Sequence, residues 1–177
     1  MIKKDALIIR KLNISDAFVV QRLIGEIFSA PPWNDDWKAE ELRAYTAELL
    51  GGGTALCFGY FDGAELAGIA LGRTKTWWEG KEYVLEEFGI VENLRGKRTG
   101  AYFMAEVERL AAAEGCAFMI LQTERTAPAY EFYKKAGFTE SAGSVMFVKS
   151  IGGGAERKRR QDNTENRTER RAGKTER

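Results

Sequence analysis

Between Glu86 and Gly100 the chain reads Glu-Glu-Phe-Gly-Ile-Val-Glu-Asn-Leu-Arg-Gly-Lys-Arg-Thr-Gly, a pattern suited to holding an anion. It has the form of a buried strand running into a glycine-containing turn that opens a helix. The backbone N–H groups of a first helical turn have no intrahelical acceptor, and the helix dipole favours negative charge beside them. The chemistry this allows is a grip on phosphate. Downstream, Pro128-Ala129-Tyr130-Glu131-Phe132-Tyr133-Lys134-Lys135-Ala136-Gly137-Phe138 closes a second strand and helix unit. The chain has no histidine and two cysteines, so acid–base chemistry falls to carboxylate, tyrosine, lysine or water. Serine–histidine and cysteine–histidine hydrolases are excluded, and two separated cysteines cannot build a structural zinc site. No metal is expected.

The elements that must position these groups follow from apolar spacing. Leu7-Ile8-Ile9-Arg10 has strand character, and Phe18, Val19, Leu23, Ile24, Ile27 and Phe28 make one apolar face of a helix over about 16–29. Ala30-Pro31-Pro32-Trp33 breaks that helix, Asp36 is expected to cap a second one through about Leu50, and Gly51-Gly52-Gly53 ends it. Residues 54–61 and 65–73 flank Asp62-Gly63 as a hairpin. A loop over 74–81 carrying Trp77 and Trp78 leads to a strand over about 82–91. A helix over 99–114 stops at Gly115, a short strand spans 118–123, Thr126 is expected to cap a helix ending at Gly137, and a final strand pair ends near Lys149. Antiparallel strands followed by alternating helix and strand describe a mixed α/β (α+β) domain with a central sheet covered by helices.

The length of 177 residues suits one domain over 1–150 plus an appendage. No apolar run approaches the ~18 residues needed to span a bilayer, and the N-terminus lacks a signal-peptide pattern, so a soluble, cytoplasmic protein is expected. Cys57 and Cys116 lie in apolar segments and read as small buried hydrophobes without a disulfide. The net charge of +1 hides a split: residues 155–177 carry nine basic and five acidic side chains, which leaves the body at −3. An acidic body offers no obvious nucleic-acid surface. The tail over 151–177 has no large apolar residue after Ile151 and reads as disordered.

Both informative segments resemble the N-acetyltransferases of the GNAT superfamily. Arg95, Gly96 and Gly100 match the family's cofactor loop, with Arg98 standing where glycine is usual and Glu92 where proline is frequent. The second family segment appears as Ala129, Phe132-Tyr133 and Gly137-Phe138, with Thr126 replacing the common asparagine. The resemblance implies a three-layer α/β/α fold whose mostly antiparallel sheet splays at the cofactor site. It also implies acetyl-coenzyme A as co-substrate, with Ile90, Val91, Arg95, Gly96, Lys97, Arg98, Thr99, Gly100, Ala101, Thr126 and Tyr133 as its binding residues. The amides of 95–101 would hold the pyrophosphate, while the pantetheine arm pairs with the backbone of Ile90 and Val91.

For transfer to an amine the nucleophile must be neutral, and deprotonating an ammonium of pKa ~10.4 at pH 7 costs about 4.6 kcal/mol. A carboxylate can take that proton. Glu86 and Glu87 are adjacent on the strand and so should face opposite sides, which would put at least one at the cleft. The resemblance favours Glu86, with Glu87 close behind. It also makes Tyr133 the acid for the departing thiolate, and the Val91 amide is a candidate donor to the acetyl oxyanion. Trp33, Trp37, Trp77 and Trp78 fall in loops that flank the acceptor in this family, where an aromatic lining suits a cationic amine. The implied partner is a primary-amine acceptor, and homodimers are common among relatives. A coenzyme A-binding sensor without turnover is the alternative.

Overall fold

The computed structural model describes residues 7–149 and 151. The chain divides into two units, Met1–Thr139 and Glu140–Arg177. In the first, β1 (Leu7–Leu12) is followed by a 3-10 turn at Ile14–Asp16, α1 (Ala17–Phe28) and α2 (Ala39–Gly51). Then come β2 (Cys57–Asp62), β3 (Glu65–Trp77), β4 (Gly80–Ile90), a second 3-10 turn at Glu92–Leu94, α3 (Thr99–Ala113), β5 (Cys116–Leu121) and α4 (Pro128–Lys135). The five strands lie in the order β1-β2-β3-β4-β5. Their pairings are antiparallel up to β4, and β5 joins β4 in parallel.

Two apolar layers sandwich this sheet. Val20, Leu23, Ile24, Ile27 and Phe28 of α1 and Leu49 and Leu50 of α2 pack on Ile69 and Leu71 of β3. On the opposite face Phe103, Met104, Val107 and Ala111 of α3 pack with Phe58, Ala70, Tyr83, Leu85 and Ile90. Alternation of side chains along each strand sends one set to each layer. The result is the expected three-layer α/β/α arrangement. Among the described residues no helix is long and apolar enough to cross a membrane, and both cysteines are free.

Several boundaries differ from the sequence reading. Lys38, not Asp36, stands at the N-cap of α2. The expected loop over 74–81 is strand, because β3 and β4 pair as far as Trp77 and Gly80 and turn in the two residues Trp78-Glu79. Ala127, not Thr126, is the N-cap of α4, whose start is set by Pro128, a residue whose fixed φ and missing N–H suit the first helical position. Of the second unit, residues 140–149 and 151 are described; no strand forms among them, and Val145, Met146, Phe147 and Val148 are exposed. The expected final strand pair is therefore not present. Residues 152–177 of the expected tail lie outside the described residues.

Candidate active site

Two interruptions in the pairing of β4 create the site. The ladder to β5 ends at Leu85 and Leu121, so residues 86–90 of β4 keep β3 on one side and, among the described residues, have no strand on the other. On the β3 side, Leu71 pairs with Glu87 and Gly72 with Leu85, leaving Glu86 as the extra residue of a β-bulge. The bulge changes which way the two carboxylates face. Glu87 accepts a hydrogen bond from Tyr45 Oη of α2 at 2.6 Å. Glu86 lines a cavity of about 330 Å³ together with Tyr45 and Glu48, and pairs with Arg73 Nε at 3.1 Å. Both glutamates thus lie on the α2 side, and the expectation of opposite faces is corrected.

The open edge has a defined polarity. Val91 donates its N–H to the Ala67 carbonyl at 2.9 Å, which consumes the amide expected to serve the oxyanion. Antiparallel pairing alternates, so Glu87 and Gly89 also direct their backbone groups to β3, while Phe88 and Ile90 direct theirs to the unpaired edge. The Ile90 carbonyl there accepts from Arg95 Nε at 3.4 Å.

Beyond this edge the chain passes through Gly96 (φ +73°) and Arg98 (φ +64°) into α3. The first backbone bond of the helix runs from Tyr102 N–H to the Arg98 carbonyl at 3.0 Å. Thr99, Gly100 and Ala101 are therefore first-turn donors without an intrahelical acceptor, beside the positive end of the dipole. Arg95, Lys97 and Arg98 are exposed around them. A Cβ at Gly100 would meet Phe132 at 3.5 Å and Ile90 at 3.7 Å, which are ordinary van der Waals contacts. These donors fit an anion such as the pyrophosphate of coenzyme A.

Arg98 holds a left-handed conformation that an L-residue adopts at a cost of ~1–2 kcal/mol. Arg98→Gly is expected to keep stability within about 1 kcal/mol of the parent or raise it, since relief of that strain offsets the greater freedom of unfolded glycine. Arg98→Val should lose about 1–2 kcal/mol, because a β-branched side chain tolerates this region least. Urea unfolding midpoints check both.

Tyr133 reaches the same region from α4. Phe103, Phe88 and Phe132 stack in sequence at 5.3 and 5.6 Å, tying α3, β4 and α4 together where the strand ladder has ended. Tyr133 packs edge-on between Phe132 and Phe138 at 5.3 and 5.5 Å. Burial, and secondarily the charge of Glu87, push its phenol up to about 12. Burial followed by Glu87, Glu86 and Asp35 pushes the Tyr45 phenol up more strongly. Glu87 is thus the carboxylate whose field reaches both tyrosines.

The tryptophans separate into two pairs. Trp33 packs edge-on against Phe28 at 6.2 Å, and Trp37 stacks on Tyr45 at 5.0 Å with its indole N–H buried and without a partner. Trp77 and Trp78 sit at the β3–β4 turn, exposed, with Lys75 over the Trp77 ring at 4.1 Å. Seven residue steps along β4 separate Gly80 from Glu87, roughly 20 Å, so these two tryptophans do not join the carboxylates. Thr126 is exposed and makes no capping bond. The sequence reading missed Tyr45, although its spacing from Leu42 and Leu49 marks it as a member of the inward face of α2.

The sequence matches the acetyltransferase (GNAT) family over residues 20–138. No curated protein matches it. Among solved structures, it is similar to the aminoglycoside N-acetyltransferase AAC(6')-Iy in complex with a bisubstrate analogue, CoA-S-monomethyl-acetylneamine. That likeness has a TM-score of 0.66 at 17% identity and covers 82% of this chain and 99% of that one. The aminoglycoside acetyltransferase meta-AAC0020 from an uncultured soil metagenomic sample, in complex with sisomicin, gives 0.65 at 16% identity, covering 82% and 97%. A possible acetyltransferase from Clostridium difficile 630 gives 0.69 at 14% identity, covering 83% and 100%. At these identities the likeness is one of fold. With the family match spanning two thirds of its length, the chain belongs to the acetyltransferase (GNAT) family.

Proposed function

We propose that this protein is an acetyl-coenzyme A-dependent N-acetyltransferase of the cytoplasm, passing an acetyl group directly to a primary amine of a small molecule or peptide in a ternary complex. One combination carries the reading: β4 has an open Phe88–Ile90 edge, α3 opens on unpaired amides, and the charge of Glu87 acts on the buried Tyr133 phenol. The Arg95 amide donates to the Glu92 carbonyl at 2.9 Å, so the amides of residues 96–101 would hold the pyrophosphate. The edge groups of Phe88 and Ile90 would pair with the pantetheine amides as an added strand would. When bound, the co-substrate supplies an activated acetyl thioester.

The chain supplies the proton transfers. Glu87 is assigned as the base, since its field bears on Tyr133 whereas Glu86 is tied to Arg73. Tyr133 holds a proton for the departing sulfur, and the edge amides of Phe88 and Ile90 replace Val91 as candidate donors to the carbonyl oxygen. The acceptor would enter from the α2 side, where Glu48 and Glu86 border the cavity and favour a cationic amine. The structural neighbours named for aminoglycosides support an acceptor with several amino groups.

Release of free thiol from acetyl-coenzyme A across a panel of polyamines, aminoglycosides and amino-acid amides tests the assignment. Tyr133→Phe is expected to lower kcat about 10- to 100-fold with coenzyme A affinity retained. Because a phenol at about 12 keeps its proton below that pH, the parent's profile should show no descending limb from Tyr133 below pH 11 or so. Coenzyme A binding without turnover on any amine would overturn the catalytic reading in favour of a sensor.

A further inference from the structure

We infer that Tyr45 is a positioning residue that aims the carboxylate of Glu87 at the acceptor. This rests on the assignment of Glu87 as base. A glutamate on a strand has several rotamers open to it, and a base must hold one oxygen toward the proton it removes. The Tyr45 hydroxyl holds Oε1 of Glu87 at 2.6 Å, which gives the carboxylate a fixed direction. The phenol is itself held, since its ring stacks on Trp37 at 5.0 Å with 19° between planes, and both rings pack on the α1–α2 apolar layer.

The kind of donor matters. The neighbouring carboxylate, Glu86, is bound by the charged guanidinium of Arg73. At Glu87 the orienting donor is instead a neutral phenol. The surroundings keep it neutral: burial first, then Glu87 and Glu86 from β4 and Asp35 from the α1–α2 connection, all oppose its ionisation. The other groups on this side are Glu48 of α2 and Arg73 of β3, and Tyr133 approaches from α4. Tyr45 also lines the cavity proposed for the acceptor.

The test is Tyr45→Phe in the full chain, which keeps the ring and its stack and removes the donor. Loss of a hydrogen bond to the charged form should move the ascending limb of the kcat/KM profile up by about one pH unit. At neutral pH kcat should fall about tenfold, with KM for acetyl-coenzyme A unchanged. Tyr45→Leu, which removes the stack as well, should show at least the same shift. If Glu87→Gln abolishes turnover while Tyr45→Phe keeps the parent's rate and limb, the positioning role is overturned and the base stands. If Glu87→Gln retains full activity, the base assignment falls and the role of Tyr45 falls with it.

Discussion

Replacing Glu87 with glutamine is expected to lower kcat/KM for amine acetylation by about 10²- to 10⁴-fold while leaving coenzyme A affinity and folding unchanged. The amide has the size of the carboxylate, and its oxygen still accepts the Tyr45 hydrogen bond, so geometry is conserved and only the capacity to take a proton is lost. The deficit should depend on pH. At pH 7 an ammonium acceptor needs about 4.6 kcal/mol to lose its proton, and this requirement vanishes as the pH nears the amine's own pKa of ~10.4. The ratio of parent to variant should therefore narrow steadily on the alkaline side. Glu86→Gln should cost less than about tenfold, since the Arg73 ion pair directs that carboxylate to a structural role on a half-exposed surface. Initial rates of thiol release from pH 6 to 10, with coenzyme A binding measured by calorimetry, check these expectations. A loss in Glu86→Gln with none in Glu87→Gln would reverse the two roles.

Most of the fold was legible because apolar spacing has the same periods in sequence and structure. The six apolar residues that marked the first helix lie within α1, and four of them are buried against the sheet. The cradle was legible for a similar reason: its donors are backbone groups, whose position follows from where a helix begins. What sequence could not supply was pairing between strands. The base residue was narrowed to two neighbours, and choosing between them needs the bulge at Glu86, which exists only in the register of β4 against β3. The Val91 amide was likewise nominated by its place in the chain and is claimed by Ala67, a partner 24 residues away. Trp77 and Trp78 read as loop residues near the acceptor because polar and aromatic residues there hide a long two-stranded ribbon. Tyr45 escaped notice since its contact with Glu87 joins elements 42 residues apart.

Gly72→Ala is expected to destabilise the fold by about 3 kcal/mol or more and to lower turnover in the molecules that remain folded. A Cβ at Gly72 would stand 2.3 Å from the Val84 carbonyl oxygen and 2.8 Å from Tyr83 Cε2. Neither neighbour can yield easily. Val84 is a backbone partner of Arg73 on one side and of Ile120 on the other, and Tyr83 is fully buried. The Gly72 carbonyl also accepts the Leu56 N–H at 2.8 Å, so moving β3 away would strain a second contact. Gly53, where a Cβ meets nothing within 4 Å, is the control, and Gly53→Ala should stay within about 0.5 kcal/mol of the parent in urea unfolding. The position of Gly72 explains why the loss should reach the chemistry. Its pair with Leu85 anchors one end of the bulge, so a displacement there re-aims Glu86 and Glu87 together. Chemistry of this kind loses rate when a group is misplaced by about 1 Å. Gly72→Ala should therefore lower stability and turnover together, whereas Glu87→Gln separates them. A Gly72→Ala variant within 1 kcal/mol of the parent would show that β3 and β4 can part at the bulge at little cost.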